Sequence, residues 1–321
     1  MKKLLPPETE QGILNIGDEL PGVGTVAELR PLVGLLDRVR GKYHDGDAVY
    51  LLKTRDGTKY KLLTAKTPAG VQTPYTRHTA AHLAAFPDNG SVPSLVYVDD
   101  CSLIVEFVAG KVLSQLELTH ERTKALARFI AASQPASAPE DYGGADSNWL
   151  RQQLEQNVQL TESVRLFAID VLQRWEDIAV SEPQAVCYFD GALKNFIEHP
   201  SSGKLSYIDL FGLSATSVSI SFVRQVLALP ASRRAMFINT YLEASPYGEY
   251  IRDHLPFYCL LHLSYRLAHQ FDTSEQAAGR NRYRRQKRRA SAQAAQNALA
   301  DCMSLASEFE VYRDRLLQLE L

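Results

Sequence analysis

Asp190, Asn195 and Asp209 stand within one short stretch of the chain. It reads Cys187-Tyr188-Phe189-Asp190-Gly191-Ala192-Leu193-Lys194-Asn195-Phe196-Ile197, then a turn, then Leu205-Ser206-Tyr207-Ile208-Asp209-Leu210-Phe211-Gly212. A carboxylate such as Asp190 can orient a hydroxyl and accept its proton. The amide oxygen of Asn195 and the carboxylate of Asp209 are hard donors of the kind Mg²⁺ takes, phosphate oxygens and waters completing the octahedron. Such a set suits phosphoryl transfer, which asks little of a protein beyond positioning and charge stabilisation. Asp and Asn also form local turns in ordinary loops. Here, however, two apolar runs each deliver a polar residue to a single hairpin. Lys194, next to Asn195, could neutralise charge on a transferring phosphate, or it is a solvated turn lysine.

The elements that must position these residues follow from periodicity. Residues 1–25, rich in Pro, Gly and acidic groups, read as a loose lead-in. Ala48 to Lys53 and Lys59 to Lys66 read as strands around Arg55-Asp56-Gly57-Thr58, the Asp-Gly pair being a hairpin signal. Pro74 to Phe86 has helical spacing. Val92 to Val98 and Ser102 to Val108 read as strands around Asp99-Asp100, with Ala109-Gly110 ending the second. From Leu116 the chain turns helical, with Thr119 a plausible N-cap. Residues 134–147 form a Pro-, Ala- and Gly-rich linker between helices. Helices are expected at 148–160 and 162–180. Two short strands should flank His199-Pro200-Ser201-Ser202-Gly203, and helices should run over 219–229, 231–244, 247–271 and from about 276.

A small β-rich region, a short connector and a large helical region carrying one hairpin resemble the protein-kinase-like superfamily, and within it the aminoglycoside phosphotransferase and choline kinase branch. The resemblance spans roughly residues 30–271. It implies an α+β, bilobal protein-kinase-like fold with a β-rich nucleotide-binding lobe over 1–109 and a helical catalytic and substrate lobe over 110–321. It implies an ATP- and Mg²⁺-dependent phosphotransferase moving a γ-phosphoryl group to a hydroxyl of a small-molecule or sugar-like acceptor. Asp190 would be the catalytic carboxylate, with Lys194 assisting, and Asn195 and Asp209 would hold Mg²⁺. Asp209-Leu210-Phe211-Gly212 stands in the place of the family's Asp-Phe-Gly. The Glu106 carbonyl and the Val108 N–H, at the connector, would hydrogen-bond adenine.

The chain also departs from that pattern. The family's phosphate lysine falls near Leu63, which Lys61 and Lys66 flank. Leu63-Thr64-Ala65-Lys66 resembles the family's strand end, so Lys66 is preferred, at the cost of a longer strand or a bulge. The family's helix glutamate falls near His78, and no acidic residue lies between Ala69 and Phe86. No G-x-G-x-x-G precedes the strands, and Tyr188 replaces the catalytic-loop histidine. These losses leave open a pseudokinase-like binding or regulatory protein with weak or no catalysis.

Composition sets wide bounds. The 321 residues, 45% hydrophobic and 22% charged with net charge −2, suit a soluble globular protein of two lobes. No apolar run is long enough for a membrane span, and the short apolar start is no secretory signal, so a cytoplasmic location is expected. The four cysteines have no paired spacing and read as reduced thiols. Arg280 to Arg289 holds seven basic residues in ten. It could meet an anionic partner, but with one tyrosine it lacks the aromatic interleaving of nucleic-acid binding. His254, His262 and His269 lack the i, i+4 partners a metal site needs and read as core or cleft residues.

Overall fold

A computed structural model describes residues 14–32, 48–64, 75–86, 90–133, 147–156, 161–178, 184–188, 191–210 and 213–275. The chain divides into two compact units, Met1–Leu116 with Lys194–Leu213, and Glu117–Leu193 with Ser214–Leu321.

The first unit is built on an antiparallel sheet. Its strands are β1 (Glu19–Leu20), β2 (Gly24–Pro31), β3 (Ala48–Thr54), β4 (Lys59–Thr64), β5 (Leu95–Val98) and β6 (Ser102–Glu106), in the order β1-β2-β3-β4-β6-β5. The expected lead-in is therefore corrected: residues 19–31 form two strands. Gly22 and Gly24 turn the chain with φ of 74° and 99°, which suits glycine. The turn residue Val23, with Leu20 and Val26, is then buried against Leu52, Leu62 and Ile104. Each such side chain contributes about 1.5–3 kcal/mol on burial. The Asp-Gly hairpin forms as expected. Gly57 has φ 91°, and the Asp56 carboxylate accepts from Thr54 Oγ1 at 2.5 Å and from the Thr58 N–H at 3.1 Å. Those bonds hold its pKa below the usual carboxylate value, the Thr54 hydroxyl contributing most.

Strand alternation decides what β4 presents on each face. Tyr60 and Leu62 join the cluster around Leu52. Lys61 and Leu63 point to the opposite side, Lys61 paired across to Val105 of β6. Helix α1 (Tyr75–Ala85) packs on β5 and β6, where Thr76 Oγ1 donates to the Asp99 carbonyl at 2.5 Å.

A second sheet of this unit has the order β10-β9-β7, from β7 (Lys111–Val112), β9 (Phe196–Glu198) and β10 (Leu205–Tyr207). The hairpin turns at His199–Gly203, as expected; His199 N–H donates to the Lys204 carbonyl at 2.9 Å. Gly110 is required by close approach: a Cβ there would lie 2.4 Å from the Glu198 carbonyl oxygen. Tyr207 N–H donates to the Ser91 carbonyl at 2.8 Å and Ser206 Oγ to the Gly90 carbonyl at 2.6 Å. These bonds tie the hairpin to the loop before β5.

The second unit is mainly helical. Helix α2 (His120–Ser133) starts where Thr119 caps it, its hydroxyl accepting the Arg122 N–H at 3.3 Å. Thr123, Leu126, Ala127, Ile130 and Ala131 are buried in the i, i+3, i+4 pattern of one face, which packs on α6 (Ala231–Ala244). Helix α3 (Ser147–Gln156) lies on α4 (Glu162–Ile178), whose buried stripe Val164, Phe167, Ala168, Val171, Leu172 and Trp175 meets α7 (Gly248–Glu275). Pro230 separates α5 (Val218–Ala228) from α6, and Phe222, Phe237 and Tyr241 stack between them. Strand β8 (Gln184–Tyr188) pairs with β11 (Leu213–Ser217). Tyr188 is 1% exposed and stacks on Phe129 with centroids 5.7 Å apart. Cys187 and Cys259 are buried thiols and Cys101 is half-buried.

Candidate functional site

The β9–β10 hairpin brings Asn195 and Asp209 together. Its register pairs Tyr207 with Phe196, Ser206 with Ile197 and Leu205 with Glu198. The ladder continues one step further, the Ile208 N–H donating to the Asn195 carbonyl at 2.9 Å. Asp209 follows directly, and the Asn195 Nδ2 donates to its Oδ2 at 3.3 Å. A single helical turn, Leu193–Asn195, leads into β9 and leaves the Asn195 side chain buried beside a half-exposed Asp209. The pair fits a divalent cation by donor chemistry, an amide oxygen and a carboxylate both being hard ligands. Among the described residues no cluster of three His, Cys, Asp or Glu side chains could hold a metal alone.

Lys61 joins this pair from β4. Its Nζ donates to the Ile208 carbonyl at 2.5 Å, one residue before Asp209. Burial pushes its pKa down to about 8, and the Asp209 charge pulls the other way. Of the two lysines flanking Leu63, Lys61 is the one seen beside Asp209; Lys66 lies outside the described residues. The sequence signal was strand alternation, which puts Lys61 and Leu63 on one face.

Helix α1 carries two histidines one turn apart, His78 and His82. The His78 and His82 rings lie 4.5 Å apart between centroids. Burial lowers the His82 pKa to about 4, helped by His78, while a hydrogen bond to the Leu213 main chain opposes the shift. Burial also lowers His78. Both rings are thus neutral at pH 7. His82 reaches the chain just past Asp209, a contact that helical spacing alone does not reveal.

The connector residues are placed at a sheet edge. The ladder between β4 and β6 ends at Tyr60 and Glu106, and residues 107–109 leave the sheet. The Glu106 N–H donates to the Ser94 carbonyl at 3.0 Å, and its side chain is exposed. Val108 is half-buried, and Lys194 is exposed at the turn before β9. Asp190 and the Arg280–Arg289 block lie outside the described residues. His254 stacks on Tyr250, and His262 is buried.

No family model matches the chain, and no curated protein matches it. Solved structures do. A choline kinase from Streptococcus pneumoniae is 16% identical, with 85% of this chain and 94% of that one covered and a TM-score of 0.55. The microcompartment-associated aminopropanol kinase is 17% identical over 90% of this chain and 94% of that one, with a TM-score of 0.58. A GDP complex of aminoglycoside 2'-phosphotransferase IIIa is 12% identical over 88% and 95%, with a TM-score of 0.59. At such identity the likeness is one of fold, and the chain has the protein-kinase-like fold, with mixed α and β structure.

Proposed function

We propose that the chain is an ATP- and Mg²⁺-dependent phosphotransferase acting on a hydroxyl of a small-molecule acceptor. The observation that carries this reading is the meeting of Asn195, Asp209 and Lys61 at one end of the β9–β10 hairpin. In this reading Asn195 and Asp209 would hold Mg²⁺, which would supply charge stabilisation for the transferring phosphoryl group. Among the described residues, Lys61 is a strand lysine whose amine reaches the Ile208 carbonyl beside this pair. Moving from the Ile208 carbonyl to a phosphate oxygen would exchange a neutral acceptor for a charged one, a stronger bond. The Glu106 carbonyl and Val108 N–H take the adenine edge. Asp190 orients the acceptor hydroxyl and takes its proton, and Lys194 faces the departing charge. The structural neighbours support an acceptor of the amino-alcohol or aminoglycoside kind.

The test is phosphoryl transfer from ATP to choline, aminopropanol and aminoglycosides, in the natural chain and in Asp190→Ala. Transfer that Asp190→Ala abolishes without unfolding the protein supports the reading. Full activity in that variant would sink the assignment of Asp190.

One observation favours a second reading, a nucleotide-binding or regulatory protein with weak or no catalysis. Helix α1 carries two histidines and no acidic residue, so it has no carboxylate to form an ion pair with the lysine. Binding of Mg²⁺-ATP without turnover on any acceptor would select it.

A further inference from the structure

Helix α5 carries a buried amide that the proposed chemistry does not use. Gln225 is only 2% exposed, and a primary amide is buried only where its polar atoms find partners. Its Nε2 donates to the Tyr188 carbonyl at 2.8 Å. Ser221, one turn earlier on the same face, donates its hydroxyl to the same carbonyl at 3.3 Å. The other side of the Gln225 amide lies against Gly191. A Cβ there would stand 2.2 Å from its Oε1, 2.5 Å from Cδ and 2.9 Å from Nε2. Gly191 is not among the glycines with positive φ, so space and not backbone conformation demands glycine at this position. One amide group therefore touches the main chain at Tyr188 and at Gly191. Only Phe189 and Asp190 lie between them in sequence.

We propose that Gln225 is a positioning residue for Asp190, fixing the main chain on both sides of the carboxylate that orients the acceptor hydroxyl. The proposal rests on the reading of Asp190 given above. A hydroxyl must be held close to its attack position for the transfer to proceed, and small misplacements cost rate more than binding. Tyr188 and Gly191 are both buried, so the anchor acts inside the unit, where water does not compete for the carbonyl. Gln225 touches no reacting atom. Its effect should appear in turnover and not in nucleotide affinity.

The test compares Gln225→Leu, which keeps the volume and loses the amide, with the natural chain. Mg²⁺-ATP turnover is followed as ADP release, with choline, aminopropanol, an aminoglycoside or water as acceptor. The expected result is a kcat about tenfold lower or more, with the KM for ATP within about twofold and the melting temperature within a few degrees. Gly191→Ala should lower kcat in the natural background and add nothing in a Gln225→Ala background, because both act through one contact. An unchanged kcat in Gln225→Leu overturns the proposal. So does a loss of kcat that comes with matching losses of ATP affinity and melting temperature, which would make Gln225 a residue of the fold alone. A natural chain that releases no ADP with any of these acceptors, water included, overturns the reading of Asp190 and this proposal with it. An active natural chain with an indifferent Gln225 overturns the proposal only.

Discussion

Asn195 donates its side-chain Nδ2 to Asp209 Oδ2 at 3.3 Å, and the register of the β9–β10 hairpin places them there. With Tyr207 opposite Phe196, the next step of the ladder sets Ile208 against Asn195. Asp209 then leaves the ladder beside the Asn195 side chain. The same step exposes the Ile208 carbonyl to Lys61. An amide, a carboxylate and a lysine amine thus converge at the open end of one hairpin.

Asp209→Asn should remove the Mg²⁺-dependent part of nucleotide stabilisation. A ligand at a hundred times its Kd adds about 2.7 kcal/mol, a rise of several degrees in melting temperature. Thermal unfolding with and without Mg²⁺-ATP checks this. A variant that keeps the full Mg²⁺-dependent rise would remove Asp209 from the metal site.

Lys61→Met should lower kcat/KM for ATP by roughly tenfold or more, the scale expected when a charge-stabilising group is lost. Lys66→Met should stay within about twofold of the natural chain. Steady-state kinetics on the two variants decide between the strand lysines, and a larger loss in Lys66→Met would reverse the assignment.

Acid should destabilise the fold through His82. Its folded pKa, about 4, lies below the ordinary 6.5. Between those values the unfolded chain binds the extra proton, so stability rises with pH across this window. It is lost as pH falls from about 6.5 to 4, and His78 acts in the same direction. Urea unfolding at several pH values should show the slope, and His82→Leu should flatten it. An unchanged slope in the variant would place the titration elsewhere.

Gly110→Ala should cost about 1–3 kcal/mol, the usual penalty for overpacking. The new Cβ would meet the Glu198 carbonyl oxygen at 2.4 Å, and main chain cannot swing aside as a flexible side chain can. Gly203→Ala, whose φ of 65° faces open space, should cost only the left-handed preference of about 1–2 kcal/mol. Melting temperatures of the two variants compare them, and a harmless Gly110→Ala would contradict the close approach of β7 and β9.

Sequence alone determined what depends on near neighbours. The face of α2 shows in the spacing of Thr123, Leu126, Ala127, Ile130 and Ala131, because helical residues three and four apart share a side. The Asp56-Gly57 turn was legible because glycine accepts positive φ where other residues resist it. Asn195 and Asp209 were legible because a hairpin joins residues through a short turn whose chemistry the sequence carries. Tertiary structure decided what depends on distant pairing. The strand residues among 19–25 looked like part of a lead-in, because β1 forms only on β2, and β2 pairs with β3, which begins at Ala48, well further along the chain. Lys61 was distinguished only when β4 aligned with β6 and its amine met the Ile208 carbonyl, 147 positions away. Gln225 and Gly191 are ordinary in one dimension, and each explains the other only where helix α5 presses an amide onto the chain beside Asp190.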